Sequence, residues 1–137
     1  MNYKPKEFYE NDKRVVLTLD AGGTNLVFGA MQRAKDILEP FSLPCFPDDL
    51  PVLLKSIEEG FSELISRVDR EVAAISFAFP GPANYKLGII GDLPNFKAFR
   101  GGVALGPFLE QKFKLPVYIN NDANLFVLGE FIFGFLP

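Results

Sequence analysis

The hydrophobic positions change period several times along the chain, and each change marks an element. Residues 15–20 (VVLTLD) are a short β-branched run stopped by Ala21-Gly22-Gly23, and residues 24–31 (TNLVFGAM) are strand-like again. Together they predict a β-hairpin. A third strand is expected over residues 37–43, closed by Pro44 and Pro47. Between residues 50 and 68 the apolar positions Leu50, Leu53, Leu54, Ile57, Phe61, Leu64, Ile65 and Val68 fall at helical spacing. Asp48 or Asp49 is placed to cap that helix, and Pro51 suits its first turn. Residues 71–79 (EVAAISFAF) are apolar almost throughout, as in a strand covered on both faces, and Pro80-Gly81-Pro82 ends them. A turn-rich loop follows through Gly88, Gly91, Pro94-Asn95 and Gly101-Gly102. Residues 105–114 read as a second helix and 116–120 (PVYIN) as another buried strand. Asn121 or Asp122 then caps a last helix over 123–133. This order predicts an α/β fold, with a mixed sheet that starts in a β-hairpin and is covered by helices.

Composition narrows the chemistry. The 137 residues are 48% hydrophobic and 23% charged, which suits one globular domain with a real core, rich in phenylalanine. The net charge is −3 with acids and bases interspersed, so nothing supports binding to nucleic acid or to an anionic membrane. Cys45 is the only cysteine and there is no histidine. An intramolecular disulfide, a zinc site built from Cys and His, and hydrolase mechanisms with a histidine base are therefore excluded within these residues. No uncharged apolar run is long enough to span a bilayer, and residues 1–14 are polar and unlike a signal peptide, so a cytoplasmic location is expected.

Three constellations can carry chemistry. In Asp20-Ala21-Gly22-Gly23-Thr24-Asn25 two adjacent glycines allow positive φ and close approach of a ligand to the backbone. N–H groups exposed in such a turn suit phosphate oxygens, Thr24 and Asn25 add donors, and Asp20 is placed to hold a hydrated Mg²⁺. An ordinary hairpin turn is the other reading of the same residues. Neither a Walker A loop nor a Gly-x-Gly-x-x-Gly dinucleotide motif is present. The second constellation, Asn120-Asn121-Asp122-Ala123-Asn124, sits where a strand meets a helix. An ionised Asp there can take a hydroxyl proton as the oxygen attacks phosphorus, and its Asn neighbours can hold a polyol. The alternative is a plain N-cap. The third, Pro80-Gly81-Pro82 with Leu93-Pro94-Asn95, is turn chemistry, in loops of the kind where α/β proteins bind ligands.

In this order the three pieces resemble the ROK family of sugar kinases and repressors, which share the actin-like ATPase (ribonuclease H-like) fold with hexokinase. Leu19 to Asn25 is similar to the family's first phosphate motif, and Phe79-Pro80-Gly81-Pro82 and Leu93-Pro94-Asn95-Phe96 to its sugar-side loops. Pro116-Val117 through Asn121-Asp122-Ala123-Asn124 to Leu128-Gly129-Glu130 resembles its catalytic strand and helix. The resemblance implies Asp122 as general base, also contacting the sugar. It implies Asn95 and Asn121 as binders of sugar hydroxyls, with Gly81 shaping the sugar loop. Asp20, Gly22, Gly23, Thr24 and Asn25 would face the phosphates of ATP and its Mg²⁺.

Family members continue into a second lobe with a Cys-rich zinc motif and a second nucleotide motif, and neither is present here. The expectation is therefore an N-terminal lobe over residues 15–137, preceded by the polar segment 1–14. The complete protein is expected to be an ATP-dependent hexose or N-acetylhexosamine kinase, with this chain alone inactive. A non-catalytic sugar-binding module, or the remnant of a sugar-responsive regulator, is the alternative. The fourteen residues ahead of Val15 are too few for a helix-turn-helix. Residues 125–137 (LFVLGEFIFGFLP) carry Glu130 as their only charge, so pairing into a homo-oligomer through that end, or cover by a missing second lobe, is expected.

Overall fold

The computed structural model describes residues 14–22, 24–33, 35–78, 83–84, 87–91, 98 and 101–120. The predicted hairpin forms as β1 (Val15–Ala21) and β2 (Asn25–Gln32), antiparallel from Val16↔Met31 to Ala21↔Leu26. Of the strand expected over 37–43 only the second half forms, within β4 (Phe41–Pro44), and a short β3 (Lys35–Asp36) lies ahead of it, both antiparallel to β2. Pro40 lies between them, and without an N–H it cannot continue a ladder.

The first helix, α1 (Leu50–Arg67), starts as the sequence indicates, with Asp49 accepting from the Val52 N–H at 3.2 Å and Pro51 in the first turn. It buries Leu53, Ile57, Gly60, Phe61 and Leu64, while Ile65 stays 37% exposed. Burial of each large side chain stabilises the fold by about 1.5–3 kcal/mol. β5 (Val72–Ala78) then pairs parallel with β1. Where the sequence suggests only a loop, β6 (Ala83–Asn84) and β7 (Ile89–Ile90) make a small antiparallel pair, and Ile90 exchanges backbone hydrogen bonds with Val103 at 2.8 and 2.9 Å.

Helix α2 (Leu105–Phe113) packs on the same side as α1, with Lys112 bridging to Glu58 at 3.5 Å and the Phe113 ring edge-on to Phe61. It closes on Lys114 in the left-handed region at φ 57°. β8 (Val117–Asn120) pairs parallel with β5, and of its described side chains only Ile119 is fully buried. The large sheet has the order β3-β2-β1-β5-β8, with β4 also on β2.

One face of this mixed sheet carries Leu26, Phe28 and Ala30 of β2, Leu17 and Leu19 of β1, Ile75 and Phe77 of β5 and Ile119 of β8, in register across four strands. Both helices lie on it. At its centre the Phe28 ring rests on the α1 backbone at Gly60, stacked on Phe41 at 5.6 Å and edge-on to Phe61 at 5.3 Å. On the other face Val16, Ala74 and Ser76 are buried while Val27 is 38% exposed, and among the described residues the Ser76 hydroxyl has no hydrogen-bond partner. No helix among the described residues is long and apolar enough to cross a membrane. The expected last helix and the phenylalanine-rich end lie outside the described residues.

Candidate active site

Parallel pairing decides where the chemistry collects. Because β1, β5 and β8 run the same way, their carboxyl ends share one edge, and the register sets Asp20, Ala78 and Asn120 side by side. Neighbouring strands are about 4.8 Å apart, so the Asp20 and Asn120 backbones lie about 10 Å from each other. The hairpin turn leaves β1 at this edge. The segments carrying Gly81 and Asn121-Asp122 leave β5 and β8 at the same edge. Such an edge is where open α/β sheets bind ligands.

The turn is tied down from below. The Gly22 N–H donates to the Asn25 carbonyl at 2.9 Å, closing it, and the Cys45 N–H donates to the Thr24 carbonyl at 2.9 Å. The Asn25 amide donates to the Thr24 hydroxyl at 3.4 Å, and Asp20, Thr24 and Asn25 are all exposed. Cys45 itself is buried, and burial pushes its thiol above the ordinary cysteine range. A neutral thiol therefore sits behind the turn, adding no negative charge where phosphates would approach. Burial first, and the Glu110 carboxylate second, raise the Tyr118 phenol on β8 in the same way.

Expected positive φ does not hold at Gly22. The described glycines in that region are Gly88, Gly101 and Gly102. A Cβ at Gly22 would meet nothing closer than the Asn25 carbonyl oxygen at 3.4 Å, an ordinary contact. The fold does not require glycine at this position, which leaves open space at the turn's outer surface as the feature to explain.

Mg²⁺ is commonly held by one or two carboxylates together with substrate phosphates and water. An exposed Asp20 beside donor-rich Thr24 and Asn25 fits that arrangement. Among the sites named from sequence, the structure brings together Asp20, Gly22, Thr24 and Asn25. Gly23, Gly81, Asn95, Asn121 and Asp122 lie outside the described residues. Sequence reasoning missed Cys45 as the residue that pins the turn, since a backbone bond from β4's end leaves no signature in residue type.

This hairpin-started mixed sheet, helix-covered and with a polar carboxyl edge, is the actin-like ATPase fold of sugar kinases. A glucokinase structure from Parabacteroides distasonis superposes with a TM-score of 0.82 at 57% identity, covering 94% of this chain and 36% of that one. The ROK family profile matches residues 16–135, and the chain belongs to the ROK family. N-acetyl-D-glucosamine kinase of Vibrio vulnificus (strain YJ016) is 33% identical over 116 residues, which are 81% of this chain and 36% of the relative. A ROK family glucokinase from Streptomyces griseus, solved in complex with glucose and AMPPNP, superposes with a TM-score of 0.68 at 25% identity, covering 88% of this chain and 37% of that one. The repressor Mlc of Escherichia coli (strain K12) also matches, 28% identical over 104 residues, 74% of this chain and 25% of the repressor. The chain spans little more than a third of the length of the kinases it matches.

Proposed function

We propose that the complete protein is an ATP-dependent kinase of a hexose or N-acetylhexosamine, and that residues 15–137 form its sugar-side N-terminal lobe behind a polar segment 1–14. The observation that carries this reading is the register of Asp20, Ala78 and Asn120, which sets the phosphate-type turn and the strand leading to Asp122 at one edge. The glucokinase and N-acetylglucosamine kinase relatives, and the glucose and AMPPNP bound to one of them, support the same substrates here.

In this reading ATP supplies the transferred phosphoryl group, with Mg²⁺ neutralising its oxygens. The chain's own residues position and deprotonate. The Gly23 N–H and the side chains of Thr24 and Asn25 hold phosphate oxygens, Gly22 leaves room for them to approach, and Asp20 orients the metal's water shell. Asn95 and Asn121 bind sugar hydroxyls, and the loop at Gly81 shapes the pocket. Asp122 accepts the proton of the attacking hydroxyl, leaving the phosphate ester as product. An edge that holds both reactants contributes chiefly by orientation and charge. The adenosine side of the cleft belongs to a second lobe, so residues 1–137 alone turn nothing over. Cover for the apolar end comes from that lobe or from a second copy of the chain.

The test is a phosphorus NMR assay of the complete protein with Mg·ATP against a panel of hexoses and N-acetylhexosamines. Saturable formation of one sugar phosphate is expected. Sugar binding without turnover would favour the non-catalytic module instead, and phosphorylation by purified residues 1–137 would overturn the two-lobed account.

A further inference from the structure

Strand β4 also delivers its end to the carboxyl edge. It is antiparallel to β2, as β1 is, so β4 and β1 run the same way. The segment that leaves it, Cys45-Phe46-Pro47, is fastened by a main-chain hydrogen bond at each residue. The Cys45 N–H donates to the Thr24 carbonyl, in the turn after β1, at 2.9 Å. The Asp49 N–H, at the cap of α1, donates to the Phe46 carbonyl at 3.2 Å. The Pro47 carbonyl accepts from the Ala98 N–H at 2.8 Å. Phe46 is 51% exposed, so the main chain rather than its ring holds the segment in place. Pro47 adds stiffness of its own, because its ring fixes φ.

Ala98 belongs to the stretch between β7 and α2 that carries Leu93-Pro94-Asn95. Ile90 and Val103 close that stretch at its base, and the Gly106 N–H in α2 donates to the Gly88 carbonyl at 2.9 Å. Helix α2 lies against β8, whereas β4 is at the other side of the strand order. The bond between Ala98 and Pro47 therefore joins elements from the two sides of the sheet. Asn95 stands three residues before Ala98, and three residues of chain reach about 11 Å at most. We infer that Cys45-Phe46-Pro47 is a positioning strap, which fixes the sugar-side stretch against the phosphate-type turn. Sugar at one attachment and ATP at the other then strengthen each other's binding. The inference rests on the kinase reading of those two sites. A ligand that orders one end of a stiff link lowers the cost of ordering the other, and the effect is reciprocal.

The test is calorimetric titration and amide hydrogen exchange on the complete protein. The ligands are Mg·AMPPNP and the sugar that the phosphorylation panel selects, given singly and together. In the parent the sugar should tighten Mg·AMPPNP about fivefold or more, and the sugar alone should slow exchange at the Cys45 N–H. Ala98→Pro removes the N–H that meets Pro47, and Ala98 lies in a 3₁₀ turn whose φ suits proline. In that variant the sugar should still bind but change Mg·AMPPNP affinity by less than about twofold, and the Cys45 N–H should no longer respond. Ala98→Gly keeps the N–H and should behave as the parent, a rescue that a role for the Ala98 side chain would not give. Pro47→Gly loosens the strap with its bonds in place, and should weaken the coupling even if Ala98→Pro does not fold. Independent binding of the two ligands in the parent, or coupling that survives in both Ala98→Pro and Pro47→Gly, overturns the strap and leaves the kinase reading standing. A panel that yields no sugar phosphate overturns the kinase reading, and the strap with it.

Discussion

At Gly60, in the middle of α1, an added Cβ would lie 2.1 Å from the Phe28 ring, whereas at Gly22, in the turn after β1, it would find nothing nearer than 3.4 Å. Both are glycines beside β2, and they answer to different constraints. The first is set from inside: Phe28 is fully buried and wedged between Phe41 and Phe61, so the helix must give up a side chain to let the ring in. The second has no such internal cause. Its backbone is hydrogen-bonded, its surroundings are open, and a methyl would fit. A glycine that packing explains is part of the fold. One that packing leaves unexplained, beside exposed Asp20, Thr24 and Asn25, is where the proposed function brings a ligand up to the backbone.

The largest change in stability is expected at Gly60. Gly60→Ala should cost about 3 kcal/mol in denaturant unfolding, because a close-packed core absorbs an extra methyl poorly. Adding Phe28→Leu should recover part of that loss, and equal losses in the single and double variants would mean the ring is not the obstacle. A smaller effect belongs to Asp49, whose carboxylate caps α1 at the Val52 N–H. Asp49→Ala should lose about 1 kcal/mol. Lys114→Gly should run the other way and gain about 0.5–1 kcal/mol, since Lys114 holds φ 57° without a glycine's freedom. The smallest stability change is expected at Gly22. Gly22→Ala should unfold within about 0.5 kcal/mol of the parent, the usual range for surface changes. In the complete protein the same variant should raise the KM for ATP about tenfold, through one crowded phosphate contact. A large loss of stability there would erase the contrast with Gly60.

Much of the fold is legible in local features of the sequence. Helix α1 announces itself through apolar spacing and the Asp49-Leu50-Pro51 start, and the first hairpin through two β-branched runs around paired glycines. What failed was also local in cause. Pro40 splits a run that looks continuous by hydrophobicity, and the two-residue strands β6 and β7 are too short to show any period. The candidate site was half legible. Each motif could be recognised where it stood, but the adjacency of Asp20 to Asn120 is a matter of register between distant strands.

Phosphoryl transfer at the carboxyl edge of the sheet stands or falls with Asp122. The measurement is kcat of the complete protein, with its preferred sugar and saturating Mg·ATP, for the parent and for Asp122→Asn, alongside Tm and sugar affinity. Loss of a general base removes a factor of about 10²–10⁴ in rate. A fall of that size is expected, with Tm and sugar affinity nearly unchanged. A kcat close to that of the parent would contradict the assignment.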